Sequence, residues 1–244
     1  MFDHVAIHAS DRPASERFYR TVLDALGIEP SSADAGTIEW DDFRLLAADR
    51  DHPHTRHLHV GFIAPSREHV DAFWQAAVDA GYHDDGPPGE RPQYRRDYYG
   101  AFVLDPDGNS AEAVHHGDTR PGGHIDHLWI RVRDVPTAEA FYTAIARHTG
   151  LREGRRWDAG VQFRGAWATF SLVNDGRPLT ENVHMAFPAP DRKTVDSFHR
   201  IATGDGHRSI FPPTELQHLG EVNYTTCIVD PDGNTVESVF HETR

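Results

Sequence analysis

The chain has 244 residues, 38% hydrophobic and 25% charged, which supplies enough apolar surface for one large domain or two ordinary ones and argues against global disorder. Its 24 basic and 38 acidic residues leave a net charge of −14, which argues against nucleic acid or an anionic membrane as partner. The single cysteine, Cys227, excludes an intramolecular disulfide, no apolar run approaches the roughly 20 residues that span a bilayer, and Met1–Ala6 lacks a basic-then-apolar leader pattern, so a cytoplasmic protein is expected.

Residues 3–9 alternate as a strand does. Pro13 to Leu26 follows with Phe18, Tyr19, Val22, Leu23 and Leu26 at helical spacing, and Pro13 suits a first helical turn. Short strands are predicted at 37–40 and 43–47. The cycle then restarts with a strand over 58–63, a helix over 67–80 stopped by Gly81, and strands at 99–104 and 110–115. The second half reads the same way. A strand over 126–132 and a helix over 137–149 precede strands near 161–163 and 167–173. A strand over 183–187, a helix over 192–202 and strands at 224–229 and 235–240 complete it. Four βαβββ modules of the α+β class result.

These modules repeat in pairs. Asp3-His-Val-Ala-Ile matches Asp126-His-Leu-Trp-Ile, 123 residues on. His59-Val-Gly-Phe matches His184-Met-Ala-Phe, and Asp105-Pro-Asp-Gly-Asn matches Asp230-Pro-Asp-Gly-Asn, both at an offset of 125. In each such turn proline presets φ, and Gly-Asn tolerates left-handed backbone. A tandem duplication is expected, with domains over 1–118 and 124–244 and a linker at 119–123 inside the Gly/Pro-rich seam 117–123.

Three strands of each half carry a candidate metal ligand: His4, His59 and Glu112, then His127, His184 and Glu237. Two imidazoles and a carboxylate on one face leave coordination positions open for water or substrate. That donor set suits Fe(II), Mn(II), Zn(II) or Ni(II). A lone strand histidine is more often a hydrogen-bonded core residue; the recurrence of all three donors in both halves argues for ligands.

The Asp-His-Val-x-Ile start, the His-Val-Gly-Phe or His-Met-Ala-Phe middle, and Asp-Pro-Asp-Gly-Asn-x-x-Glu resemble the vicinal oxygen chelate superfamily of glyoxalases, bleomycin-resistance proteins and extradiol dioxygenases. The resemblance implies two tandem domains with U-shaped mixed sheets around a divalent metal ion. It places the ligands on the first strand of each module and the last strand of the second, which are the six positions above. Whether each set comes from one half or is exchanged between halves stays open. Phe43-Arg-Leu-Leu-Ala-Ala and Ala168-Thr-Phe-Ser-Leu hold no carboxylate where glyoxalase I has a fourth ligand, so glyoxalase I itself is not expected. Extradiol dioxygenases carry a tyrosine three residues before the Asp-Pro, where this chain has Phe102 and Cys227.

The resemblance implies a metal-dependent enzyme, of dioxygenase or lyase type, acting on a small oxygen-rich substrate that chelates the metal. The alternative is a metal-independent drug-binding protein of the bleomycin-resistance type. Proton transfer needs a further group. The candidates are Tyr99 and Tyr224, at equivalent places, and His218, in the region where dioxygenases carry an acid/base histidine. Their bland readings are packing for the tyrosines and solvation for His218. Tyr98 precedes Tyr99. His8 and His57 share the ligand strands' faces as substitute or supporting groups, and Trp129 and Arg131 share the face of His127. A two-domain monomer or a homodimer would serve.

Overall fold

The computed structural model describes residues 1–117, 122–218 and 221–242, without the side chains of His218 and Glu221. Residues 119–121 of the expected linker lie outside the described residues. The first module comprises β1 (His4–Ala9), α1 (Arg12–Asp24), β2 (Ser32–Ala33), β3 (Thr37–Trp40) and β4 (Phe43–Ala47). The second comprises β5 (His59–Ile63), α2 (Arg67–Asp79), β6 (His83–Glu90), β7 (Tyr99–Leu104) and β8 (Ser110–His115). The third holds β9 (Ile125–Arg131), α3 (Val135–Thr149), β10 (Arg152–Trp157), β11 (Gly160–Arg164) and β12 (Thr169–Val173). The fourth holds β13 (His184–Pro188), α4 (Arg192–Gly204), β14 (Ser209–His218), β15 (Glu221–Val229) and β16 (Thr235–His241).

The fold is α+β, with two mixed eight-stranded sheets. One sheet runs β14-β15-β16-β13-β1-β4-β3-β2 and the other β10-β11-β12-β9-β5-β8-β7-β6. The first strand of each half therefore lies beside the strand that opens the second module of the opposite half: β1 adjoins β13, and β9 adjoins β5. The chain divides into two compact units, one of residues 6–129 and one of residues 1–5 with 130–244. The division falls within β1 and within β9.

In the unit of residues 6–129, Asp11 caps α1 by accepting from the Ala14 N–H at 3.0 Å. The helix buries Phe18, Tyr19, Val22 and Leu23. The Tyr19 ring lies 4.9 Å from Phe43, which meets Phe62 at 5.1 Å. Each such side chain contributes about 1.5–3 kcal/mol by leaving water. In the other unit Asp134 caps α3 by accepting from Thr137 N–H at 2.9 Å, and Gly150 ends it at φ 71. Tyr142 meets Phe170 at 4.7 Å.

The four edge strands, β2, β6, β10 and β14, are not among the strands expected from the sequence. β6 contains Pro87 and Pro88, and β14 contains Pro212 and Pro213. Their registers slip beside those prolines, between Gly86 and Gly89 and between Phe211 and Thr214. A proline cannot donate to a ladder, so strands of this composition survive at edges and bulges.

Candidate metal centres

Each centre begins at an Asp-Pro-Asp-Gly-Asn turn. The Asp105 carboxylate accepts from the N–H groups of Asp107 at 2.9 Å and Asn109 at 2.8 Å, and from the Tyr19 hydroxyl at 3.0 Å. Gly108 takes φ 83, where a side chain would be strained. The Asn109 Oδ1 then accepts the Leu58 N–H at 3.0 Å. This ties the entry of β5 to the entry of β8 and sets their parallel register, with His59 beside Ser110 and Gly61 beside Glu112. The second copy repeats the device: Asp230 accepts from Asp232, Asn234 and Tyr142, and Asn234 Oδ1 accepts the Val183 N–H at 3.2 Å. Ala186 then lies beside Glu237.

In the unit of residues 6–129, β9 runs antiparallel to β5 with His127 opposite Gly61. A Cβ on Gly61 would stand 2.3 Å from Cε1 of His127, so only glycine admits the ring. His59 Nε2 lies 3.0 Å from Glu112 Oε2 and 3.0 Å from His127 Nε2, and His127 Nε2 lies 3.1 Å from Glu112 Oε2. The other nitrogens are engaged: His59 Nδ1 meets Ser110 Oγ at 3.2 Å, and His127 Nδ1 meets Asp126 Oδ2 at 2.9 Å. Asp126 Oδ1 in turn accepts from His116 Nε2 at 2.9 Å. The Tyr98 hydroxyl donates to the second oxygen of Glu112, Oε1, at 2.6 Å. Burial alone would raise the Glu112 pKa, yet His127 and His59 outweigh it and hold the carboxyl at about 2. Burial likewise opposes charge on His127, but Glu112 and Asp126 raise it to about 10.

In the unit of residues 1–5 and 130–244, His184 Nε2 lies 2.9 Å from Glu237 Oε2, while His4 Nε2 stands 3.9 Å from the same oxygen. The His4 and His184 rings stack at 5.3 Å. His184 Nδ1 meets Thr235 Oγ1 at 2.9 Å. His4 Nδ1 meets Asp3 Oδ1 at 2.9 Å, and Asp3 Oδ2 accepts from His241 Nε2 at 2.6 Å. The Thr225 hydroxyl makes a short contact to Glu237 Oε1. Burial works against the Asp3 charge, but His4 and His241 bring its pKa down to about 2.

The six donors thus form two groups, His59, Glu112 and His127, and His4, His184 and Glu237. The sets set out from the family pattern, His4 with His59 and Glu112 and His127 with His184 and Glu237, exchange their first members. The cause is the sheet order, which seats β1 beside β13 and β9 beside β5.

The donors suit a divalent ion. An ion about 2.1 Å from each donor would separate adjacent octahedral positions by roughly 3.0 Å, and the edges of the first triangle measure 3.0, 3.0 and 3.1 Å. Every histidine of both groups has its Nδ1 within hydrogen-bond distance of an oxygen, which turns Nε2 toward the carboxylate.

Other candidate residues stand elsewhere. Phe102 lies opposite Glu112, so Gly100 shares that face and Tyr99 points to the other. The Tyr99 hydroxyl donates to Asp71 of α2 at 2.8 Å, and the Arg67 guanidinium lies 4.9 Å over its ring. Tyr224 repeats this with Asp196 at 2.8 Å and Arg192 at 4.6 Å. Both hydroxyls thus reach a helix carboxylate on the strand face opposite the glutamate donors. His218 ends β14, and its side chain lies outside the described residues. His8 stacks on His52 at 5.3 Å, and His57 precedes β5 at φ 57. Arg131 donates to Asp175 at 3.1 Å. The groups left unassigned by sequence reasoning are Tyr98, Thr225, Asp3, Asp126, His116 and His241. Counting alternate residues back from Phe102 would have found Tyr98, and the Asp-His pairs were visible as repeated neighbours.

Residues 1–113 match the model of the Glyoxalase/Bleomycin resistance protein/Dioxygenase superfamily. The fold is similar to that of glyoxalase I from Zea mays, with a TM-score of 0.70 at 16% identity over 98% of this chain and 92% of the other. It is also similar to a candidate dioxygenase from Bacillus subtilis subsp. subtilis str. 168, with a TM-score of 0.64 at 15% identity over 99% and 85%. In sequence, YqjT of Bacillus subtilis (strain 168) is 23% identical over 124 residues, 47% of this chain and 97% of that protein. These structural likenesses carry the fold.

Proposed function

We propose that this member of the Glyoxalase/Bleomycin resistance protein/Dioxygenase superfamily is a divalent-metal enzyme. Its two centres are His59, Glu112 and His127, and His4, His184 and Glu237, and its substrate is a small oxygen-rich molecule that chelates through adjacent oxygens. The observation that carries the reading is the triangle of donor atoms 3.0–3.1 Å apart around Glu112 Oε2. A bound divalent ion would supply Lewis acidity, drawing electron density from the substrate oxygens. The chain's own groups orient the donors. Tyr98 holds Glu112 Oε1 and leaves Oε2 for the ion, while Asp126 fixes the His127 ring through Nδ1. Burial and the neighbouring Glu112 raise the Tyr98 pKa well above its ordinary value, so its hydroxyl keeps its proton at neutral pH. Each centre is assembled from one chain, so a monomer is competent in this reading.

The drug-sequestering alternative needs no metal, and two complete donor sets speak against it. The family pattern supports dioxygenase or lyase chemistry. Anaerobic purification with elemental analysis tests the proposal: two equivalents of a transition metal are expected per chain. His59→Ala and His184→Ala should each remove one. Retention of both equivalents in the double variant would overturn the ligand assignment.

A further inference from the structure

The two centres differ in what surrounds them. Around His59, Glu112 and His127 stand four aromatic side chains. Trp129 is paired opposite His59 and lies two residues from His127, on the same strand face. Its ring centroid is 6.1 Å from His59, edge to face. Phe102, opposite Glu112, lies 5.9 Å from His59. Tyr98 lies 6.5 Å from His127. Tyr94, on the segment between β6 and β7, is 5.3 Å from Tyr98 and 6.0 Å from Trp129. It is 45% exposed, against 8% for Tyr98, so its ring stands between Tyr98 and Trp129 on one side and solvent on the other. In the repeat, Tyr98 and Phe102 correspond to Asn223 and Cys227, and Trp129 corresponds to Ala6.

We propose that the centre of His59, Glu112 and His127 selects a chelating molecule bearing a flat aromatic ring, recognised by Trp129 and Tyr94, and that the centre of His4, His184 and Glu237 does not. The inference rests on the metal-centre reading above and extends it to substrate class. Ring faces and edges attract other rings in offset and edge-to-face geometry, and they do so best where a buried wall meets an open rim. A cationic guest is disfavoured, because a divalent ion held by His59, Glu112 and His127 would repel it. A neutral or anionic ring suits both the ion and the aromatic wall.

The test uses three probes with one metal-binding group: acetohydroxamic, cyclohexanecarbohydroxamic and benzohydroxamic acid. They offer the same pair of oxygens and differ in carrying a methyl group, a puckered ring or a flat ring. Binding is measured by calorimetry to the full chain loaded with Zn(II). The His184→Ala variant isolates the aromatic-walled centre, and His59→Ala isolates the other. In His184→Ala the benzo probe should bind at least about tenfold tighter than either other probe. In His59→Ala the three should agree within about threefold. Added to the His184→Ala background, Trp129→Leu and Tyr94→Ala should each reduce the preference several-fold. The half-exposed Tyr94 keeps the test open even if the Trp129 variant folds poorly. Equal affinities of the cyclohexyl and benzo probes in His184→Ala would overturn the proposal, as would a preference untouched by Tyr94→Ala. Elemental analysis of the same samples separates the two failures. Bound zinc without ring preference sinks the aromatic selection alone, whereas no bound zinc sinks the metal-centre reading and the selection with it.

Discussion

The two donor triangles are copies by descent but not by geometry. At one, Gly61 lets the His127 ring lie where a Cβ would stand 2.3 Å from it, and the ring closes to 3.1 Å from Glu112. At the other, Ala186 occupies the matching place, and His4 stands 3.9 Å from Glu237. The hydroxyl holding the second carboxylate oxygen also differs. Tyr98 supplies it in one copy, with Gly100 leaving room: a Cβ there would stand 2.6 Å from Glu112 Oε1. In the other copy Thr225, the counterpart of Gly100, supplies it directly. The same donors are therefore presented by different supports. Conserving a donor does not conserve how closely it is held.

One methyl group should transfer most of this difference. Gly61→Ala is expected to push the His127 ring back, lowering metal affinity at that centre about 10–100-fold and stability by about 1–3 kcal/mol. Ala186→Gly should shift affinity at the second centre upward. Metal titration of each variant in the presence of a chelator measures both. Unchanged affinity in Gly61→Ala would mean that the ring finds another seat.

Tyr98→Phe ranks next. It leaves Glu112 Oε1 buried without its donor, a loss of about 1–3 kcal/mol visible in denaturant unfolding of the metal-free chain. Thr225→Val should weaken only the second centre.

Acid provides a third comparison, this time common to both copies. The Glu112 and Glu237 carboxyls fall from the ordinary 4.5 to about 2 in the folded chain, the histidine partners overcoming burial. A lowered folded pKa contributes stability above the unfolded value and loses it as pH falls through the folded one. Metal-free protein should therefore lose stability progressively between about pH 4.5 and about pH 2. In Glu112→Gln that loss should shrink. Smallest of all, Tyr99→Phe removes one exposed hydrogen bond to Asp71, with an expected change of no more than about 1 kcal/mol and no change in metal content.

The sequence made the fourfold βαβββ pattern and the six donors readable because the turns and strand openings recur at nearly fixed offsets. The grouping of the donors was not readable for the same reason. His4 and His127 occupy equivalent places, so exchanging them leaves every sequence pattern intact, and only the position of β1 and β9 in the sheets separates the alternatives. Tyr99 and Tyr224 recur at equivalent places and Tyr98 does not, but recurrence reports shared packing as readily as shared chemistry. Both hydroxyls reach an aspartate on the preceding helix, Asp71 of α2 and Asp196 of α4. β6 and β14 were hidden by their prolines, which mark an edge only once neighbouring strands are known.

The exchange of first strands also orders the birth of the two centres. During synthesis the donors of the first centre have all emerged once His127 has left the ribosome, with the rest of its compact unit of residues 6–129 close behind. His4, among the earliest residues made, must wait for Glu237 before its triangle exists. A ribosome paused in the second half would thus carry a nascent chain with one finished centre and one unmated imidazole. Separately expressed fragments cut at the seam between the repeats would each be short of a histidine, and mixing them should restore what neither holds alone.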